Sequence, residues 1–454
     1  MNEMPFPQGF LWGTATAAHQ VEGENRNNDW WAFEQHPGAI WKGDRSGLAC
    51  DWWRNAEDDF DLMADMGHTT HRLSVEWSRI EPEEGVFDAQ AIARYREMLQ
   101  GLHRRGIEPM VTLFHFSTPL WLACKQSGGG WQNPAVVDHF RRFVRHTVQE
   151  LGDLVKLWCT INEPNVYAAL GYLFGEYAPG HKSLAAYFRV LRHQLLAHAA
   201  AYRIIHALDG GAQVGLVKNV QIFEPLDPAS GASARTARIV DYLFNEITLQ
   251  AIQDGRLRPP LSPLPRTHGP LVDSYDFVGL NYYTRQRVDL GALGKNGGDD
   301  LLGLLQPTPG AECSDSGRHG TYGEIYPAGM YQALRRVAQA GKPIYVTENG
   351  LPDDDDDQRP AFLLGHLAEV QRAIRDGVDV RGYYHWSFTD NFEWAEGWSL
   401  RFGLVALDPQ TQARTPRRSA ELFTAIIRAN ALTEEMLAAY GRPATGKDEE
   451  GGSK

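Results

Sequence analysis

Short runs rich in β-branched and aromatic residues alternate along the chain with longer stretches whose apolar residues recur every three or four positions. The first pattern is that of buried strands and the second that of amphipathic helices. The strand runs are Phe10–Thr14, Thr70–Val75, Pro109–Phe114, Val155–Thr160, Gln213–Val217, Phe277–Leu280, Pro343–Thr347 and Val380–Trp386. Helical spacing fills Asp51–Met66, Ala89–Arg105, Pro134–Leu151, Leu184–Leu208, Ser233–Asp254 and Pro327–Gln339. Alternation of this kind implies a parallel sheet, since each parallel return needs a crossover. Eight units in one chain favour closure into a single (β/α)8 TIM barrel over a doubly wound sheet. The Pro/Gly-rich stretches 255–270 and 286–325 then become long irregular loops. Residues 1–443 read as one domain and 444–454 as a polar, disordered tail.

Composition narrows the class. The 454 residues are 43% hydrophobic and 22% charged, as in a globular protein with a sizeable core. A net charge of −13 leaves no electrostatic footprint for nucleic acid or an anionic membrane, so an uncharged or cationic small molecule is the expected partner. There is no basic leader followed by an apolar stretch, and no apolar run of membrane-spanning length. Cys50, Cys124, Cys159 and Cys313 lie far apart with no CxxC spacing, and are expected to be buried, reduced thiols in a cytoplasmic protein. The acidic run Asp353–Asp357 would repel itself inside any element and reads as a solvated loop rather than a cation site. Whether the chain is a monomer or a homo-oligomer stays open.

Several chemistries lose their support. There is no HExxH helix, no GxSxG elbow and no GxGxxG after a strand. The segment Gly441–Lys447 imitates a phosphate loop, but Asp448 stands where a Mg-binding hydroxyl is needed. His68 and His71 are not joined by a Cys or carboxylate cluster at ligand spacing and read as ordinary polar histidines. No metal and no cofactor is expected.

In a (β/α)8 barrel the reactive residues sit at the C-terminal ends of the strands. The fourth run ends in Asn162-Glu163-Pro164 and the seventh in Glu348-Asn349-Gly350, so two carboxylates occupy mouths that lie roughly opposite. Such a pair is what glycoside cleavage needs: one group protonates the leaving oxygen while the other attacks carbon or activates water. Arg72 lies on the second run, His115 follows the third, Asn281-Tyr282-Tyr283 the sixth and Trp386 ends the eighth. Fixed donors beside flat aromatic faces suit a neutral sugar. The 13 Trp, 17 Tyr and 19 Phe include more aromatic residues than such a site needs, and most are expected in the core.

The stretches Phe10-Leu-Trp-Gly-Thr-Ala-Thr-Ala17, Gln20-Val-Glu-Gly23, Thr160-Ile-Asn-Glu163-Pro164, Thr347-Glu348-Asn349-Gly350 and Trp386-Ser-Phe-Thr-Asp-Asn-Phe-Glu393-Trp394 occur in that order. In these motifs the sequence resembles glycoside hydrolase family 1, the retaining β-glucosidase family, from Phe6 to about Arg428. The resemblance implies that Glu163 is the general acid/base and Glu348 the nucleophile. It implies that Gln20, His115, Asn162 and Glu393 hold sugar hydroxyls, that Arg72 and Tyr283 attend the nucleophile, and that Trp386, Trp394 and Phe402 wall the glycone pocket. Asn281 is a further candidate for substrate binding at the sixth mouth.

The segment Phe116-Ser117-Thr118 departs from the family, which usually places Trp and then Asp-Leu there. The intact Glu393-Trp394 pair implies an unphosphorylated sugar, and the presence of Glu163 implies O-glycosides. A β-glucosidase or broad exo-β-glycosidase acting by double displacement is therefore expected, on small β-glucosides or oligosaccharides such as cellobiose. The choice among glucosyl, galactosyl and fucosyl residues stays open, as does the balance of hydrolysis and transglycosylation. Other readings are a barrel that binds sugar without cleaving it and a metal-dependent barrel enzyme.

Overall fold

The computed structural model describes residues 4–124, 129–289, 302–317 and 322–441. Each of the eight apolar runs forms a strand buried along nearly its whole length, as parallel strands covered on both faces must be. They are β1 (Leu11–Ala15), β2 (Thr70–Ser74), β3 (Glu108–Phe114), β4 (Leu157–Asn162), β5 (Gln213–Asn219), β6 (Phe277–Asn281), β7 (Ile344–Asn349) and β8 (Val380–Trp386). Each pairs in parallel with its neighbours in chain order, and β8 returns to β1, so the sheet closes into a barrel. The eight-strand expectation is met.

Strands β4, β5 and β7 run two residues beyond the apolar stretches that announce them, because ladder pairing continues into polar residues. Asn281 is in register with Asn219 on one side and with Glu348 on the other. Gly350, just past β7, lets two strand ends close up: a Cβ there would lie 1.8 Å from the Trp386 carbonyl oxygen.

The helices Trp52–Asp65, Ala89–Arg104, Val136–Leu151, Leu184–Leu208 and Ala328–Val337 match the periodic stretches. The stretch at 233–254 is not one regular helix: a π-helical turn at Tyr242–Glu246 separates Gly231–Asp241 from Ile247–Asp254. The loop stretches carry sheet of their own. Arg285–Val288 pairs with Ile222–Pro225 and Leu305–Gln306, and Arg256–Leu257 pairs with Arg266–Thr267. The expected tail 444–454 and the Gly441–Lys447 imitation from residue 442 onward lie outside the described residues.

Two expectations are corrected. The acidic run is only half solvated: Asp353 and Asp356 are buried, while Asp354, Asp355 and Asp357 are exposed. Asp353 accepts hydrogen bonds from the backbone N–H groups of Gln358 (2.9 Å) and Arg359 (2.8 Å), and Asp356 pairs with the buried Arg359 guanidinium. An opposite charge and the free amides opening the helix Arg359–Arg375 compensate the burial. Of the four thiols, all free, Cys50 and Cys159 are buried, but Cys124 is exposed and Cys313 half-buried. His68 and His71 belong to the core, where burial drives the His68 imidazole down to about 3. No helix among the described residues is long and apolar enough to cross a membrane.

Candidate active site

The C-terminal strand ends converge on one cavity of about 190 Å³. Register shifts fall at three of these ends, between Cys159 and Asn162, between Leu280 and Asn281, and between Val346 and Asn349. Irregularities of this kind re-aim side chains. Glu163 has left-handed backbone angles, φ 43° and ψ 61°, and Pro164 directly after it opens the helix Pro164–Ala168. The turn thus puts the Glu163 carboxyl at the mouth while its backbone N–H stays tied to the Val217 carbonyl of β5, 2.9 Å away.

Glu348 is gripped by charge. Arg72 Nη1 donates to its Oε1 at 2.6 Å and the Tyr283 hydroxyl donates to its Oε2 at 2.8 Å. The guanidinium is held in turn by Asn162 Oδ1 (2.7 Å) and Thr112 Oγ1 (3.0 Å). Both remaining directions of the planar fork are therefore occupied, and its orientation is not free to drift.

Glu163 receives amides instead of a cation. Asn219 Nδ2 and Asn281 Nδ2 both donate to its Oε1, at 2.7 and 2.9 Å. Burial, and next the negative charge of Glu348, push its carboxyl up to about 7, against these hydrogen bonds, which favour the ionised form. Two carboxyls in one cavity therefore have different partners: a guanidinium and a phenol for one, two carboxamides for the other. Such a division separates an acid from a nucleophile.

A third carboxyl, Glu393, also lines the cavity. Gln20 Nε2 donates to its Oε2 at 3.0 Å and the Trp386 side chain also hydrogen-bonds it, while burial and the Glu348 charge push it up to about 8. Trp394 and Trp386 lie nearly parallel to the His115 ring, with centroids 6.0 and 5.8 Å away. Asn162 Nδ2 meets His115 Nε2 at 3.1 Å, and burial holds that imidazole well below its ordinary value.

The family model of Glycosyl hydrolase family 1 matches residues 2–432. The chain belongs to glycosyl hydrolase family 1. It is 32% identical to beta-glucosidase A of Thermotoga maritima, covering 96% of this chain and all of that protein. It is 29% identical to a beta-galactosidase of Pyrococcus woesei, over 95% of this chain and 98% of that one. The solved beta-glycosidase from Pyrococcus horikoshii superposes with a TM-score of 0.85 at 39% identity, covering 98% of this chain and 99% of that chain. The protein is a glycoside hydrolase of the β-glucosidase type.

In this family 1 enzyme the residues singled out from the sequence come together in two layers. Glu163, Glu348, His115, Asn162, Tyr283, Trp386, Glu393, Trp394 and Phe402 line the cavity. Gln20, Arg72 and Asn281 stand behind it, fully buried, and reach it through the three carboxyls they bind. Sequence reasoning missed Asn219, although it ends β5 as Asn162 ends β4; applying the strand-mouth rule to the fifth strand finds it. It also missed Phe116, Tyr177 and Tyr322 as walls, with Val166, Leu170 and Gln221. Val166 and Leu170 follow Glu163 at helical spacing, a signal that was present. Tyr177 and Tyr322 come from loops without a periodic signature.

Proposed function

We propose that this enzyme removes terminal, unphosphorylated β-D-glucosyl residues from small O-glycosides with retention of configuration. Glu348 attacks the anomeric carbon while Glu163 protonates the departing oxygen. The glycosyl ester so formed removes the Glu348 charge, which lowers the proton affinity of Glu163. Glu163 then takes a proton from water as the water attacks, and Glu348 leaves. In a retaining enzyme the carboxyl groups stand about 5–5.5 Å apart, leaving no room for an interposed water in the first step.

The observation that carries this reading is the contrast between a Glu348 held by Arg72 and Tyr283 and a Glu163 pushed up to about 7. Among the described residues, three carboxyls line the cavity and no lysine or arginine does, which disfavours a phosphorylated sugar. Glu393 and Trp394 beside the two reacting carboxyls in a cavity of about 190 Å³, which is small for more than one sugar ring, support attack on a terminal residue. The carboxyl of Glu393 can accept from hydroxyls in either 4-epimer, which supports broad glycone use including galactosides and fucosides, with cellobiose among the acceptable substrates. A sugar acceptor in place of water would give transglycosylation. Four free thiols support a reducing, cytoplasmic setting.

The test is a panel of p-nitrophenyl β-glycosides and cellobiose, with the first-formed anomer read by NMR. The β-anomer is expected. The α-anomer as first product would replace direct attack by Glu348 with an inverting mechanism.

A further inference from the structure

Lys218 is fully buried, contrary to the habit of lysine side chains of reaching water. It lies on β5 between Val217 and Asn219 and turns outward, into the layer between barrel and helices. Its amino group lies 4.9 Å over the Phe244 ring, donates to the Asn219 carbonyl and stands 3.4 Å from Asn245 Oδ1. Asn245 sits on the π-helical turn, and its Nδ2 donates to the Gln221 carbonyl and to Asp241 Oδ1, each at 2.8 Å. Asp241 is paired with Arg336 at 2.7 Å.

This chain of contacts ends at the reacting carboxyl. Asn219 offers its carbonyl to Lys218 and to Asn165 Nδ2 (3.2 Å), and its carboxamide to Glu163 (2.7 Å). Its backbone and side chain are thus held from opposite sides. We propose that Lys218 is a positioning residue: by holding the Asn219 carbonyl it fixes the carboxamide that orients Glu163 for proton transfer. The inference rests on Glu163 as the acid/base.

The charged groups around both ends set the sign of the effect. The charges that act on Lys218 are Glu163 at the end of β4, across Asn219, Asp241 and Glu246 from the helical segment 231–254, and Arg336 from the helix Ala328–Val337. Facing Glu163 are Glu348 and Arg72, with the Tyr177, Tyr283 and Tyr322 hydroxyls beside them. The Asn219 hydrogen bond favours ionised Glu163, so loosening it makes that carboxyl hold its proton to higher pH. Burial holds the Lys218 amine well below its ordinary value, toward the neutral form, so its influence on Glu163 runs through Asn219 rather than through charge.

The experiment compares Lys218→Met, which keeps length and apolar bulk, with Lys218→Gln, which keeps a donor, each alone and with Asn219→Ala. In Lys218→Met the alkaline limb of kcat/KM is expected to move up by about half a pH unit or more. Its kcat/KM should fall about tenfold on alkyl glucosides, whose leaving groups need the proton, and less than about threefold on 2,4-dinitrophenyl glucoside. Lys218→Gln should recover part of both effects, and Lys218→Met should add no shift once Asn219 is Ala. An unmoved limb with equal loss on both substrates and a lower Tm would make Lys218 a core filler and overturn the proposal. Should Lys218→Met fail to fold, Lys218→Gln against Asn219→Ala reads the same limb: a shift upholds the positioning role and an unmoved limb overturns it. Wild-type turnover of alkyl glucosides by Glu163→Gln would instead defeat the acid/base assignment itself, whatever Lys218 does.

Discussion

Arg72 and Glu348 meet at 2.6 Å with the guanidinium wholly buried and the carboxylate only 5% exposed. Each charge is compensated by the protein rather than by bulk water. Removing the cation in Arg72→Met leaves a buried carboxylate without its partner, at a cost of about 3–5 kcal/mol. Arg72→Lys keeps the charge but cannot hold Asn162 and Thr112 at the same time. Both variants should lose kcat/KM, with Arg72→Met also losing Tm; wild-type activity in Arg72→Met would remove Arg72 from the site.

The Glu163 carboxyl, pushed up to about 7, places the alkaline limb of kcat/KM near that pH, because the proposed acid must carry its proton when substrate binds. The stability sign is the reverse of that for a salt-bridged carboxylate. A folded value above the ordinary 4.5 means the native state binds the proton more tightly, so stability is lost as pH rises from about 4.5 to about 7. Glu163→Gln should therefore gain Tm over the parent at pH 8 and gain little at pH 4. Thermal scans at the two pH values check this, and an equal difference at both would contradict it.

Glu348→Gly should abolish hydrolysis of aryl β-glucosides even when the leaving group is activated, since no attacking carboxylate remains. Glu163→Ala should still form the glycosyl-enzyme from 2,4-dinitrophenyl β-glucoside, and added azide should then be recovered as the β-glycosyl azide. Recovery of the α-azide alone from Glu163→Ala contradicts double displacement.

Arg359, which does not line the cavity, pairs with buried Asp356 and donates to the carbonyls of Asp353 and Arg401. Arg359→Ala strands these groups and should lower stability by about 3–5 kcal/mol. Denaturant melts should register the loss while KM in the surviving folded protein stays near the parental value. An unaltered midpoint would mean that water replaces the guanidinium.

Much of the site was legible because catalytic residue types abut strong apolar runs. Glu163 and Glu348 are readable as strand-mouth carboxylates, and Arg72 lies inside a strand where a charge needs a reason. Asn219 was hidden because Lys218 interrupts the apolar run of β5, so the strand seemed to stop before its polar end. The acidic run misled for a related reason: charge density along a sequence does not reveal that Arg359 and a helix terminus neutralise two of its members. Phe116 departs from the family pattern yet joins the cavity wall, 5.3 Å from Trp394 between ring centroids.

Order and type of elements follow from local periodicity, which the chain carries without reference to its fold: eight buried strands, their crossovers, and polar or aromatic residues at or just past the strand ends. Closure decided everything that depends on distance and solvent. Glu393 rises to about 8 because burial and the Glu348 charge act on it together, though 45 positions of chain separate the two. Lys218 gains its place behind Asn219 only once a π-helical turn packs against β5. Coulomb and desolvation effects are set by three-dimensional neighbours, so the sequence named the acids and the tertiary structure assigned them their different partners.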